Sequence, residues 1–565
     1  MRKIILSVCP LFFISFSSFS QWNANPAVNT PVSTALVDQK SQKMVSDTKG
    51  GAIIAWEDFR GSVPAGVADI FVQRIDKNGY VKWTVDGVNI CSDINDQGTI
   101  NITEDGFGGA IISWNDHRAG KRDVYAQRID SSGNMKWTSN GVLASGNGKL
   151  YDQRDSKLIS DGNGGAILVW QDSVPNSEWD IKAQRISGTN GASMWTAAGV
   201  PICTSVLSQI RPRLRTDGAG GAIIVWQDKR NGANSNIYAQ RVNASGIIQW
   251  AVNGVSVRLL SFYAAKNPLI ESDGAGGAII VWEDKRPDSS HPGDTTSDIY
   301  AQRVNASGAM QWIANGVKVC TAFQSQAYLD MTTAGISGAI IVWKDKRYYT
   351  TTMYDVYAQK IDMNGVALWT TNGVAISALP FNQGAPSIIG DGLGGAIIAY
   401  QDSSGGTENI YSTKINSLGV IQWTSPVGTA AGNQTAPRAV SDGAGGCLYS
   451  FQDQRNVGSI DIYAQYLNLN GIPDGIQDEN NRISSKCFPN PFTKQTTIEI
   501  NNSELEILDF KITIHDIYGK EVHPFVTRSS DKFVIYRDDL ANGIYFYEIK
   551  SSSKTLSNGT LILTN

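Results

Sequence analysis

Fourteen of the fifteen tryptophans in this 565-residue chain occupy two positions of one repeat that occurs eight times. Trp56, Trp114, Trp170, Trp226, Trp282 and Trp343 form one series, continued by Tyr400 and Phe451. Trp22, Trp83, Trp137, Trp195, Trp250, Trp312, Trp369 and Trp423 form the other. An aromatic returning every ~50–60 residues restricts the fold to a ring or array of like supersecondary units. It says nothing yet about a ligand.

The clearest copy spans 267–312. Ala278–Trp282 is a short, β-branched apolar run between Gly-Gly and Glu-Asp, which is how a strand buried on both faces reads. Asp298–Val304 alternates more, and Asn305-Ala-Ser-Gly308 is a turn cluster leading to a strand expected around Trp312. Asn267–Glu271 supplies the first strand, closed by the turn Asp273-Gly-Ala-Gly-Gly277. Four short antiparallel strands per repeat form a β-propeller blade, and no 3.6-residue period supports a helical solenoid. The expected fold class is all-β: an eight-bladed β-propeller over 21–470, followed by a small Ig-like β-sandwich. Repeat eight lacks its Trp strand, and the segment Gln21–Val28 is an orphan Trp strand. Pairing the two would close the ring with strands from both termini and remove an exposed edge.

Met1-Arg2-Lys3, an apolar stretch to Phe19 and the small residues Ser18 and Ser20 read as a signal peptide over 1–20. No other run reaches the ~20 apolar residues of a spanning helix. Net charge is −4 with cations spread through the repeats, which argues against nucleic acid as a partner. Cys91, Cys203 and Cys320 hold one position in non-adjacent repeats, too far apart for the ~7 Å Cα limit of a disulfide. Cys447 replaces a repeat alanine and reads as a small buried residue. Neither a metal nor a cofactor is expected, and a monomer is.

Repetition also discounts the polar residues. Asp58, Asp116, Asp172, Asp228, Asp284, Asp345, Asp402 and Asp453 each follow the aromatic by two residues. Arginine follows two further on in six repeats, so Asp–Arg pairing within the scaffold is expected rather than a converging cation site. Glutamine precedes the aromatic by seventeen residues in seven repeats, with Ala265 the exception. It is expected to begin the innermost strand as a polar collar, bonding between blades. The Asp-Gly-x-Gly-Gly turn lacks calcium-loop spacing and reads as a tight hairpin.

The composition changes after a linker at 471–485. Phe488-Pro489-Asn490-Pro491-Phe492, Ile514-His-Asp516-Ile-Tyr-Gly519-Lys-Glu-Val522, Leu540-Ala-Asn-Gly543-Ile-Tyr545-Phe546 and Gly559-Thr-Leu-Ile562 follow in order. Residues 486–565 thereby resemble the C-terminal sorting domain of type IX secretion cargo, found in Bacteroidetes. Cys487 departs from that pattern, where an aromatic is usual, and the tail Leu563-Thr-Asn565 lacks a basic residue. The resemblance implies passage through the type IX translocon, processing by sortase-like machinery at the linker, and release or attachment at the outer cell surface.

Functional residues in a repeat protein are those that break the repeat on variable loops. These are Trp179, His291, Tyr348 and Tyr349 in second-to-third loops, and Phe262, Tyr263, Phe323 and Tyr328, assigned to fourth-to-first loops. Projecting aromatics suit sugar stacking or a protein anchor. The chain therefore reads as a noncatalytic binder of glycan or protein. A secreted glycoside hydrolase or polysaccharide lyase, and a structural surface or gliding-associated component, are the alternatives.

Overall fold

A computed structural model describes residues 22–61, 66–146, 151–288, 291, 293–294, 296–335, 338–473, 484–501, 511–516, 520–529, 532–551 and 554–564. The signal-peptide reading at 1–20 and most of the linker reading lie outside the described residues. The chain divides into two compact units, Met1–Ile476 and Gln477–Asn565.

The first unit contains eight four-stranded antiparallel sheets, a propeller-like arrangement. Seven are built from consecutive strands, such as Ala265–Ser272, Ala278–Asp284, Asp298–Val304 and Val317–Cys320 in sheet five. The second strand is buried along its whole length there because its β-branched residues pack on both faces. Sheet eight takes Gln434–Ser441, Cys447–Asp453 and Asp461–Leu467 from the chain end, and its fourth strand from the N-terminal region. That strand is Thr30–Ser33, with Thr30 opposite Ala464. The terminal pairing is as expected, but by a strand that follows Trp22 rather than the 21–28 segment containing it.

The same displacement holds in other sheets. The fourth strand was expected around the tryptophan, yet Val317–Cys320 begins five residues after Trp312. A single bridge, Val304 to Met310, ends the third strand's hairpin, and the chain then turns before the fourth strand starts. The tryptophan is thus freed to cross to the next sheet. Trp195 Nε1 donates to Ala244 O at 3.0 Å, Trp250 to Ala306 O at 3.1 Å, and Trp312 to Met363 O at 3.0 Å. Trp22 repeats the move towards sheet one, donating to Lys77 O at 2.9 Å. The receiving turn needs glycine: Gly308 has φ +89°, and a Cβ there would meet the Trp250 ring at 2.9 Å. Sheet seven differs, since its fourth strand Ile421–Gly428 runs through Trp423.

Eight apolar cores lie between successive sheets, one of them formed by sheets eight and one around Trp22, Trp56, Ile54, Leu448 and Ile462. Position six of the first strands feeds these cores with Leu158, Leu214, Ile270, Met331 and Ile388. First strands also lie against first strands, those of sheets eight and one included. Each first strand has a β-bulge whose third residue is left-handed without being glycine, as at Asp155 (φ 49°), Arg211 (φ 56°) and Tyr328 (φ 55°). Bulges of this kind re-aim side chains.

The second unit pairs two four-stranded sheets. One joins Ser484–Phe488, Gln495–Asn501, Lys532–Tyr536 and Val526–Ser529; the other joins Glu521–Val522, Lys511–His515, Gly543–Ser551 and Lys554–Leu563. Phe492, Ile498, Phe533 and Ile535 share a core with Ile514, Tyr547 and Leu561. Among the described residues no helix is long and apolar enough to cross a membrane.

Candidate functional site

The repeated aspartates are consumed by the scaffold. Asp228 accepts from Trp226 Nε1 at 2.7 Å, Arg230 N at 2.8 Å, Arg230 Nε at 2.9 Å and Arg230 Nη2 at 2.6 Å. The guanidinium lies 3.9 Å from the Tyr238 ring centroid and donates to Asn253 O at 2.8 Å. Equivalent ion pairs join Arg60–Asp58, Arg118–Asp116, Arg286–Asp284, Arg347–Asp345 and Arg455–Asp453. Sheet three lacks the arginine, and Lys182 pairs with Asp172 instead, at 2.7 Å. In sheet five a fully buried arginine from the preceding fourth strand, Arg258, adds a second cation to Asp284 at 3.0 Å.

Arg258 stands where other fourth strands carry Cys91, Cys203 or Cys320. Burial pushes these thiols up to about 12, so they are inert, and Arg118 and Arg230 donate to the sulfurs of Cys91 and Cys203. Cys447 is buried at the repeat's alanine position. The Asp-Gly-x-Gly-Gly turn is held by its own aspartate: Asp273 accepts from Ala275 N and Gly277 N at 2.8 Å each, and Arg303 takes the other oxygen. Among the described residues no group of three His, Cys, Asp or Glu side chains is placed to hold a metal.

The glutamines do not form the expected collar. Each begins a first strand but is fully buried, and in six of the seven the amide folds back on the loop before it, as in Gln39 to Val37 O at 2.9 Å, Gln209 to Leu207 O at 2.9 Å and Gln326 to Gln324 O at 2.8 Å, whereas Gln153 Nε2 donates to Asp172 Oδ1 at 3.0 Å. The bond between sheets is made by the backbone instead, with Gln39 N donating to Ile460 O at 2.6 Å and Gln326 N to Ser297 O at 2.7 Å. A main-chain donor already fixed by the bulged strand leaves the side chain to close its own loop.

The repeat-breaking aromatics divide into groups. Trp179 is the second residue of the strand Glu178–Ile186, and the Arg154 guanidinium lies 3.8 Å from its ring, so it packs on its own sheet. Phe262, 84% exposed, and Tyr263 project from the loop before sheet five, and neither ring stacks on another among the described residues. His291 and Phe323 meet at 5.7 Å, and Asp294 accepts from Gln324 N at 2.9 Å, which ties two loops together. The Asp294 carboxyl is held low by the Thr296 and Gln324 donors and the His291 charge, against burial.

Tyr328 is not in a loop. It sits at the bulge of the strand Gln326–Thr333 and is 71% exposed. Around it gather residues that sequence reasoning passed over. Lys344 Nζ lies 5.8 Å from the Tyr328 ring and 3.9 Å from the Tyr354 ring. Tyr354 meets Tyr349 edge-on at 5.2 Å, and Lys346 Nζ lies 4.4 Å from Tyr349. Tyr348 stands beside them in the same turn, 56% exposed. Burial holds the Lys344 ammonium below its ordinary value, with the Glu408 carboxylate opposing. A cavity of about 230 Å³ lies against this group, lined by Tyr328, Lys344, Gly384, Gln401 and Glu408. Aromatic faces beside fixed donors form a surface suited to a sugar ring or a polar peptide.

In the second unit, Asn490 clamps the last strand, donating to Thr560 O at 2.7 Å and accepting from Ile562 N at 2.8 Å. Pro489 O accepts from Thr496 Oγ1 at 2.7 Å, and Pro491 leads into buried Phe492. Asp516 accepts from Lys520 N at 3.0 Å, Gly543 opens its strand, and the buried Tyr545 donates to Ala541 O at 3.0 Å. Gly519 lies outside the described residues. Cys487, at the position expected to be aromatic, places its sulfur 3.1 Å from Thr496 Oγ1.

Residues 486–563 match the secretion system C-terminal sorting domain. This segment is a type IX sorting domain. The protein that carries it is directed to secretion or to the outer cell surface, and is handled by the type IX machinery. No curated protein matches the chain. Among solved structures, the chain is similar to an ulvan lyase of polysaccharide lyase family PL25 bound to -[GlcA(1-4)Rha3S]-, with 11% identity and a TM-score of 0.39. The match covers 65% of this chain and 92% of the lyase. It is also similar to an α-L-arabinofuranosidase from Fusarium graminearum in complex with an iminosugar inhibitor, with 10% identity over 79% of this chain and 98% of that one, and a TM-score of 0.36. An α-L-arabinanase from Penicillium chrysogenum complexed with arabinobiose matches at 10% identity over the same shares, with a TM-score of 0.31. Likenesses this distant carry nothing about the ligand or chemistry of this chain.

Proposed function

We propose that the first unit is a closed eight-bladed propeller, sealed by the Thr30–Ser33 strand, that binds a glycan noncatalytically at the cell surface or in the medium. We further propose that the C-terminal unit is an Ig-like sandwich removed at the linker by sortase-like processing, leaving a monomeric propeller. The observation that carries the binding reading is the exposed Tyr328, Tyr348 and Tyr349, gathered with the half-buried Tyr354 and with Lys344 and Lys346 beside the cavity. Exposed aromatics that do not serve the repeated cores have no folding role to explain them, and stacking on sugar faces is the use that such rings support. Lysines spread over tyrosine rings add donors for hydroxyl and acidic groups.

A glycan array probed with the wild type, Tyr328→Ala and Tyr348→Ala tests this. Binding to a glycan class that falls at least tenfold in Tyr328→Ala, with unfolding unchanged, is the expected result; that loss corresponds to about 1.4 kcal/mol or more. Equal binding by all three removes the site. New reducing ends or unsaturated products from a polysaccharide panel would replace the noncatalytic reading with a hydrolase or lyase. Capture of a protein in place of any glycan would redirect the same surface to a protein ligand.

A further inference from the structure

The first strands place a group of cations in the interior that neither the repeat nor the tyrosine site uses. At position five, four of the eight strands carry a cation, Lys43, Lys157, Arg213 and Arg438, and one carries a carboxylate, Asp330. The first strands border a shared space: Asp330 at position five lines one cavity of about 650 Å³ together with Ser46, Arg215, Glu271, Ile388 and Val440, first-strand residues of five other sheets. The Lys43 ammonium in sheet one feels Lys157 in sheet three, and Asp330 in sheet six feels Arg215 in sheet four and Arg438 in sheet eight. None of those sheets are neighbours, so groups confined between adjacent sheets would not be coupled in this pattern.

The carboxylates nearby are already engaged. Asp155 accepts from Lys157 Nζ at 2.9 Å and lies 3.8 Å from Arg213; Glu271 pairs with Arg215 at 2.7 Å. Asp330 spends its oxygens on Met331 N at 3.0 Å and Ile388 N at 3.1 Å, and burial raises its carboxyl to about 6. Among the described residues Lys43 makes no hydrogen bond or ion pair, and burial with the charges of Arg438 and Lys157 brings its ammonium down to about 7 against the pull of Glu57. Arg438 donates to Pro437 O at 2.8 Å. Beside Arg213 opens a cavity of about 460 Å³, bordered by Arg211, Lys266, Asn267, Glu283 and Tyr328. Glu283 is taken up by Lys266 at 3.2 Å and by Asn267 Nδ2 at 3.0 Å.

We propose that the ring of Lys43, Lys157, Arg213 and Arg438 is an oxyanion-binding site, taking a sulfate, phosphate or carboxylate group. That group arrives either as a free ion or at the end of an acidic ligand entering past Tyr328. Like charges held together in a partly dehydrated interior are destabilising when unneutralised, and an oxyanion accepts from several N–H donors at once. Nothing in this depends on the tyrosine group binding a neutral glycan.

The test is thermal unfolding and titration calorimetry of the full chain at pH 6. Sodium sulfate is compared with sodium chloride at equal ionic strength, which removes general screening. A uronic or sulfated oligosaccharide is then compared with its neutral counterpart. Sulfate is expected to raise the unfolding temperature more than chloride does. Lys43→Met is expected to unfold at a higher temperature than wild type without sulfate, and to bind sulfate roughly tenfold more weakly, the loss of one charge-assisted bond. Lys43→Arg is expected to retain the affinity. Preference for free sulfate alone assigns the ring to a free ion, and preference for the acidic oligosaccharide assigns it to a ligand terminus. Equal responses to sulfate and chloride together with equal binding of acidic and neutral sugars, or full affinity in Lys43→Met, overturn the proposal. Failure of the tyrosine-site reading shows separately, as neutral-glycan binding insensitive to Tyr328→Ala.

Discussion

The second strands and the first strands of the same sheets were built to opposite rules. Along the second strands, Trp226, Asp228 and the arginine that follows recur almost unchanged from sheet to sheet, and their polar groups pair with one another within the scaffold. Along the first strands, position three reads Asp155, Arg211, Asn267 and Tyr328 in four successive sheets, at eight bulges of one geometry. The backbone repeats there and the side chains do not. Packing of like against like produces the first pattern, and the packing of the cores does not call for the second.

The sharpest way to break this contrast is to remove one repeated carboxylate. Asp228→Ala leaves Arg230 without its counter-ion and Trp226 Nε1 without its acceptor in the interior, and should cost about 3–5 kcal/mol by denaturant unfolding. Asp172→Ala in sheet three, where lysine replaces the arginine and Trp170 Nε1 already has no partner, should cost less. Equal losses would mean that the arginine cluster adds nothing.

A second carboxylate row tests the scaffold through pH. Asp298 lies opposite Asp284 at the start of a third strand, where burial and the charges of Asp294, Asp288 and Asp284 raise it to about 8 against Lys318. The folded state therefore holds this proton more tightly than the unfolded chain. The stabilisation it gives is full below the unfolded value near ~3.9 and is lost as pH rises through about 8. Asn236 and Asn409 occupy the same place in sheets four and seven, so the fold accepts the amide. Asp298→Asn should exceed wild type in stability at pH 9 by on the order of a few kcal/mol, with the gap closing by pH 4. A gap independent of pH would remove Asp298 as its cause.

Gly308→Ala should cost roughly 1–3 kcal/mol, through strain at φ +89° and contact with Trp250. Smallest in stability is Tyr328→Ala, an exposed change expected within about 0.5 kcal/mol of wild type. It should instead remove binding.

Much of this fold was legible because aromatic spacing reports repetition directly. The eight copies, the buried second strand of Ala278–Asp284, the Asp–Arg pairs and the pairing of terminal strands all follow from residues that recur. The position of the fourth strand did not, because Trp312 is conspicuous while Val317–Cys320 is four residues long and has no pattern of its own. Tyr328 was picked out as a break in the repeat but assigned to a loop, since a non-glycine left-handed bulge inside a strand leaves no mark in sequence. Lys344 and Lys346 were hidden in a strand end that otherwise reads as scaffold. The position-five cations were visible only once register showed which alternate residues turn away from the cores.

The most direct test pairs unfolding with binding in two variants, Asp228→Ala and Tyr328→Ala, measured side by side on the full chain. The account predicts that Asp228→Ala loses several kcal/mol of stability, while Tyr328→Ala keeps wild-type unfolding and loses glycan binding. A Tyr328→Ala protein that binds as wild type does, beside an Asp228→Ala protein of undiminished stability, would contradict the division between repeated scaffold and unrepeated site.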